Sequence, residues 1–311
     1  MDIVQKGECQ LSNLIDLNKP HDMLADAKRF YKKNYPKADF KAVAQAFEIT
    51  RKLYQGHFPG YQACAVEYHD YTHCVAVFGA TSRLLDGCAL SGLGMSSERA
   101  EETLIAALLH DSGYLREMGD DVGSGAQYTK IHVDRSAAFT RREAAAFGLQ
   151  ADSADRIARK ILGTDLARNW NELLFKDDEE GLGAEILAAA DLLGQMADRA
   201  YLEKLLFLYY EFREAGIGGY DTAFDILRKT AGFYDATKAR LDTTLGRVSG
   251  KTKEHFCSRY GIAKDLYREA IERQMAYLAS ILADNTSNFR TKLKRLDLAA
   301  IESQKAQKSP L

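Results

Sequence analysis

The sequence predicts an all-α protein, on three observations. Proline is scarce: only Pro20, Pro36, Pro59 and Pro310 occur in 311 residues, so little interrupts helix formation. Long tracts of Ala, Leu, Glu, Lys and Arg, the strongest helix formers, place apolar residues at helical spacing. Alternating runs of β-branched residues, the mark of strands, are hard to find.

Residues 1–20 carry no clear pattern. Helices are expected near 21–34 and 39–55, followed by a loop over 56–67 that contains Gly56, Pro59 and Gly60. A helix from about 68 to 86 carries His69 and His73, and 87–97 is a loop. Ser96 and Ser97, followed by Glu98, Glu101 and Glu102, start the next helix, because hydroxyls cap the first amides and acids suit its positive end. That helix ends at His110-Asp111, where Ser112-Gly113 is a stop signal. The loop REMGDDVGSGAQ follows. Helices near 128–147, closed by Gly148, and 152–162 come next. Residues 163–183 read as irregular and 184–215 as one helix around Asp191. Amphipathic helices near 220–245, 252–258, 263–284 and 286–303 lead to a frayed tail at 304–311. With no repeat or low-complexity linker, 21–215 reads as a core and 216–303 as an added helical layer of the same domain.

Composition narrows the class. Hydrophobic residues make up 46% and charged residues 28%, ordinary values for a globular protein. A net charge of −2 provides no basic field for a nucleic-acid duplex or an anionic membrane. No apolar run approaches the roughly 20 residues of a membrane span, and MDIVQKGECQ lacks a signal-peptide pattern. Cys9, Cys64, Cys74, Cys88 and Cys257 form no CxxC pair and read as free thiols in a reducing compartment, so a cytoplasmic location is expected.

Two stretches concentrate the chemistry. YHDYTH at 68–73 holds His69 and His73, and LIAALLHDSGY at 104–114 ends its apolar run in His110-Asp111. Residues four apart on a helix lie on one face, with Cβ atoms about 6 Å apart. His69 and His73 could therefore bind one metal, or one could bind while the other serves a substrate. His110 and Asp111 arrive at a helix end already partly desolvated, and a buried carboxylate needs a partner or a metal. Pairing with Arg116 or capping a turn is the plainer alternative for Asp111. Asp191, inside EILAAADLLGQM at 185–196, is another carboxylate in an apolar helical run with no local counter-charge. Gln195 and Asp198 share its face and either line the same cleft or make surface hydrogen bonds. Imidazole and carboxylate together suit Mn, Fe, Mg or Zn, and the residue types do not choose among them.

The order of His73, His110-Asp111 and Asp191 resembles the HD superfamily of metal-dependent phosphohydrolases, and in detail its cyclic-nucleotide phosphodiesterase branch. YHDYTHCVAV at 68–77 matches that branch's YHNxxHxxxV motif, and LIAALLHD at 104–111 its apolar run ending in HD. ILGTDLAR at 161–168 resembles its LATDM-type segment, and ADLLGQM at 190–196 its ADL segment. The similarity spans about 65–200 and implies an HD-domain/phosphodiesterase-like helical bundle. It implies that His73, His110, Asp111 and Asp191 bind the first of one or two divalent metal ions. Metal-bound hydroxide would attack phosphorus, and His69 would be the general acid. The implied activity is hydrolysis of a nucleotide or other phosphodiester or phosphomonoester, so the expected partner is a small, nucleotide-like phosphate ester. His132 falls where the branch has a histidine near the second metal, with Lys130 and Arg135 beside it as possible phosphate ligands. The chain departs from the branch at Asp70 (Asn there), Tyr114 (His there) and Asn169 (commonly His there), which moves the expectation from a named substrate to a reaction class. Gln274 and Tyr277 echo a purine-holding pair but stay outside the candidate site.

Two other classes share such a scaffold. One is a non-catalytic HD signalling or nucleotide-binding module, disfavoured by the complete ligand set and the presence of His69. The other is a di-iron oxygenase, which needs two further histidines between the HD pair and the last aspartate. Only His132 lies between Asp111 and Asp191.

Overall fold

The computed structural model describes residues 9–284 and 288–298. Among them the architecture is all-helical, and the only extended pairing is an isolated bridge between Tyr61 and Glu117. The helices are α1 (Leu11–Leu14), α2 (Pro20–Asn34), α3 (Lys41–Tyr54), α4 (Tyr71–Leu90), α5 (Ser97–Leu109) and α6 (His132–Arg142). They continue with α7 (Ala151–Leu162), α8 (Asp178–Met196), α9 (Tyr201–Glu214), α10 (Ala223–Asp242), α11 (Thr252–Tyr260) and α12 (Leu266–Ala283).

Two helices form the axis of the bundle. α4 is buried continuously from His73 to Cys88, and α8 from Leu182 to Met196 apart from Glu185, Asp191 and Gln195. Both are apolar around most of their circumference, which suits a helix enclosed by others. They pack against each other more extensively than any other pair. At their crossing, a Cβ added to Gly194 would lie 3.1 Å from the backbone of Ala76, so glycine permits backbone-to-backbone approach. His73 and Asp191 each lie three residues earlier on these helices and are carried together by the same crossing. α2, α5 and α11 pack around α4, while α5, α7 and α12 pack on α8. One hydrophobic core runs from Leu11 to Leu298, so α11 and α12 are built into the bundle.

Several boundaries differ from expectation for identifiable reasons. α4 starts at Tyr71 rather than near 68, because Asp70 caps it by accepting from the His73 amide. α8 starts at Asp178 inside the stretch read as irregular, capped by Asp177 and led by Asp178, Glu179 and Glu180. The expected helix over 184–215 is two: Asp198 takes up the Ala200 amide through its side chain and the Tyr201 amide through its carbonyl, breaking the helix before α9. The helix expected over 128–147 contracts to α6. Beyond it the chain turns tightly, and Phe147 packs against Phe58 and Phe139. Of the helix expected at 286–303, the described part shows a 3-10 turn at Phe289–Thr291. The remainder of that range beyond 298, the tail at 304–311 and residues 1–8 lie outside the described residues.

Candidate metal centre

Three helices bring three ligand-type side chains, His73, His110 and Asp111, to one point and set a fourth, Asp191, beside the two imidazoles. His73 stands in the first turn of α4, oriented by the Asp70 cap, whose Oδ1 accepts from the His73 amide at 2.9 Å. His110 follows the last residue of α5, and Asp111 follows it at the head of the 3-10 turn Ser112–Tyr114. Asp191 comes from the middle of α8. The structure thus gathers His73, His110 and Asp111 into a buried group, with Asp191 at its edge.

The spacings are those of a ligand shell. His73 Nε2 is 3.2 Å from His110 Nε2, 3.3 Å from Asp111 Oδ2 and 3.3 Å from Asp191 Oδ1. His110 Nε2 is 3.2 Å from Asp111 Oδ2 and 3.6 Å from Asp191 Oδ1. Donors bonded at about 2.0–2.2 Å to one ion stand roughly 3.0–3.5 Å from each other, depending on coordination geometry. His110 Nδ1 donates to the carbonyl of Ala107 at 2.9 Å, which leaves its Nε2 lone pair facing inward in the neutral ring. Asp111 is 3% exposed, and its buried Oδ2 has no hydrogen-bond partner among the described residues. A desolvated carboxylate oxygen facing two imidazole nitrogens outside hydrogen-bond geometry fits a cation between them.

Electrostatics agree. Burial pulls the His73 imidazole down, but Asp111 and Asp191 outweigh it and raise its pKa to about 9. The same balance raises His110 well above its ordinary value. Burial pushes Asp111 and Asp191 up, yet the two imidazoles hold both well below the usual carboxylate range. The pocket therefore favours positive charge at its centre, carried by protons or by a metal.

His69 reaches the site by a different route from the one its spacing implied. It precedes α4, so the expected shared helical face with His73 does not exist; the Asp70 cap turns the chain between them. His69 Nδ1 is 2.6 Å from Glu211 Oε2 on α9, and Glu211 Oε1 accepts the amides of Glu67 and Tyr68 at 3.1 and 2.8 Å. Sequence reasoning missed Glu211. No spacing marks it, because its partners lie more than 140 positions away. Tyr114, at a position where the resembling branch carries histidine, is the middle ring of a stack. Its centroid is 4.3 Å from His69 and 4.5 Å from His132.

His132 opens α6. Its Nδ1 lies 2.6 Å from the Thr129 carbonyl and its Nε2 3.7 Å from Asp111 Oδ1, so it faces the Asp111 oxygen that points away from His73. Burial lowers its pKa, with Asp111 partly offsetting. Gly113 enables this placement, since a Cβ there would collide with the His132 carbonyl oxygen. Of the other expected residues, Arg135 donates to the carbonyls of Gly113 and Leu115 and stacks on Tyr128, and so fastens the HD turn. Lys130 donates to the carbonyl of Gly216. Gln195 joins His73, Tyr68 and Asp198 around a small chamber. Gln274 braces the α8–α9 link through the carbonyls of Asp198 and Arg199, and the Tyr277 hydroxyl donates to Lys292. On the α10 side, burial lowers the pKa of Arg240, partly offset by Asp165 and Asp191.

No helix among the described residues is long and apolar enough to cross a membrane. Among known proteins, no curated protein and no solved structure matches the chain. A family model described as Npun_R2479-like matches residues 120–243, a stretch that takes in His132, Asp191 and Glu211 but neither YHDYTH nor His110-Asp111.

Proposed function

We propose that this protein is a metal-dependent phosphohydrolase acting on a nucleotide or another small phosphate ester. One observation carries the reading: His73 Nε2, His110 Nε2 and Asp111 Oδ2 stand 3.2–3.3 Å from one another, with Asp191 Oδ1 3.3 and 3.6 Å from the two imidazoles, while Asp111 Oδ2 is buried without a hydrogen bond among the described residues. These four residues would hold a divalent ion, and Asp111 Oδ1 with His132 is the natural place for a second. A bound ion supplies Lewis acidity toward a phosphoryl oxygen and lowers the pKa of water.

The chain's own residues account for the proton. With Nδ1 committed to Glu211, His69 has Nε2 free to protonate the leaving oxygen. Glu211 fixes the ring from one edge and Tyr114 from one face, so the donor is held before substrate arrives. A buried polar knot without metal is the competing account. There, protons on His73 and His110 would supply the positive charge beside Asp111, and metal content separates the two accounts.

The test is metal analysis of the purified protein, then hydrolysis of bis-p-nitrophenyl phosphate, cyclic nucleotides and nucleoside monophosphates with Mn²⁺, Mg²⁺, Fe²⁺ or Zn²⁺. Bound metal and turnover, both absent in Asp111→Ala, are the expected result. Metal-free, inactive protein indistinguishable from Asp111→Ala would sink the proposal and leave a non-catalytic module.

A further inference from the structure

We propose that Asp198 is a positioning residue for His73, acting through one buried water in a chamber that both line; this rests on His73 being a metal ligand. A metal-bound imidazole needs its second nitrogen held, because that bond sets its tautomer and orientation. Around this site the other rings meet the requirement directly: His110 at Ala107, His132 at Thr129 and His69 at Glu211. His73 does not. Its Nε2 faces the cluster, and no protein group among the described residues bonds its Nδ1.

His73 also lines a chamber of about 10 Å³, together with Gln195, Asp198, Tyr201 and Lys204. That is room for one water, which needs about 10–15 Å³ and two to four polar partners. The partners are present. Tyr201 is 1% exposed, and its buried hydroxyl has no hydrogen-bond partner among the described residues. Asp198 is anchored at the chamber wall, with Oδ2 2.7 Å from Lys204 Nζ and Oδ1 2.9 Å from the Ala200 amide. A water here accepts from His73 Nδ1–H and donates to the Asp198 carboxylate and to the Tyr201 hydroxyl, the chamber's buried group without another partner among the described residues. The three bonds equal the usual complement of a buried water. Asp198 and Lys204 also line a neighbouring cavity of about 990 Å³. Through that water the carboxylate that breaks α8 from α9 also orients the ligand on α4.

Asp198→Asn keeps the cap on the Ala200 amide but removes the charge. Titration with Mn²⁺ or Zn²⁺ should show it binding about 10-fold more weakly than the wild type, the lower end of the range for such supporting groups. Tyr201→Phe should bind about 3-fold more weakly. In Zn²⁺-loaded protein the His73 Nδ1 proton should give a slowly exchanging resonance that broadens in Asp198→Asn, a change that a merely structural role would not produce. Wild-type affinity and an unmoved resonance in Asp198→Asn overturn the inference. Should that variant not fold, Tyr201→Phe decides alone, unchanged affinity again overturning it. His110→Ala separates the two levels. If the wild type binds no more metal than His110→Ala, the metal reading itself has failed.

Discussion

Asp70 stands where the resembling phosphodiesterase motif has asparagine, and the structure gives the exchange a physical meaning. Its side chain accepts the His73 amide at 2.9 Å, a capping task that asparagine and aspartate perform equally well. Asp70→Asn should therefore leave metal affinity and the urea midpoint unchanged. Asp70→Ala should cost about 1 kcal/mol in urea unfolding, the usual price of a lost cap, and should release the turn that carries His69. His69 and His73 should separate cleanly by mutation. His73→Ala should abolish metal binding. His69→Ala keeps the metal and lowers turnover by roughly 10²–10⁴, the range for a lost general acid. Glu211→Gln should also keep the metal, with a smaller loss of turnover. If His69→Ala lost metal as readily as His73→Ala, measured by metal content, the assignment of His69 to proton transfer would be wrong.

At the scale of elements, the placement of α6 against the HD turn is the tightest requirement near the site. The Gly113 amide donates to Ser136, Arg135 donates back to the Gly113 carbonyl, and the His132 carbonyl leaves no room for a Cβ. Gly113→Ala must push α6 outward, at an expected cost of about 3 kcal/mol for overpacking, read as a shifted urea midpoint. The α5–α7 contact is held differently. Glu102 on α5 receives Lys160 at 2.9 Å and the guanidiniums of Arg156 and Arg99. Burial lowers the pKa of Lys160, and Glu102 offsets it. Glu102→Ala leaves buried cations without their carboxylate and should cost about 3–5 kcal/mol in the same measurement, against much less for Lys160→Met. A Glu102→Ala protein as stable as wild type would show that these ions are solvated after all.

Across the whole molecule, acid stability should reflect His255, far in sequence from the candidate metal centre. His255 Nδ1 is 2.7 Å from Asp86, which also takes Arg259 and Asn34. Its buried Nε2 lacks a partner among the described residues, against the Phe30 ring. Burial therefore drops its pKa from 6.5 to about 4, outweighing Asp86. In the unfolded chain His255 binds its proton near pH 6.5, so its contribution is full above that pH and shrinks as pH falls toward 4. Between pH 7 and 5 the loss amounts to about 2 kcal/mol by linkage. Asp86, held at about 2 by its partners despite burial, adds nothing to that window. The urea midpoint of the wild type should fall over this range more than that of His255→Gln; parallel curves would refute the assignment.

Much of this plan is legible in the residues themselves. Helix positions followed from periodicity, and the Ser96 start of α5 from its cap and acids. His110-Asp111 announced itself because a polar pair closing LIAALL must find partners. The Asp177 cap of α8, followed by Asp178, Glu179 and Glu180, is equally a local signal, while Gly181 and Gly183 inside the helix weaken it. Other features carry no local signal. Glu211 and the Tyr114 stack arise from groups that meet only after the chain has folded, whereas the break at Asp198 is made locally by its bonds to the Ala200 and Tyr201 amides. The short α6 arises because burial of Phe147 prevails over the helix propensity of Ala144–Ala146.

The backbone contact at Gly194 has a mechanical consequence. Where side chains separate two helices, their spacing drifts as the core is repacked. Here no side chain of Gly194 stands between α8 and Ala76, so main-chain contact acts as a gauge block for the gap between His73 and Asp191 one turn away. Ligand spacing is thereby insulated from sequence change elsewhere in the bundle. A volume-conserving exchange such as Leu84→Met should move the melting temperature while leaving metal affinity where it was, whereas Gly194→Ala should disturb affinity first.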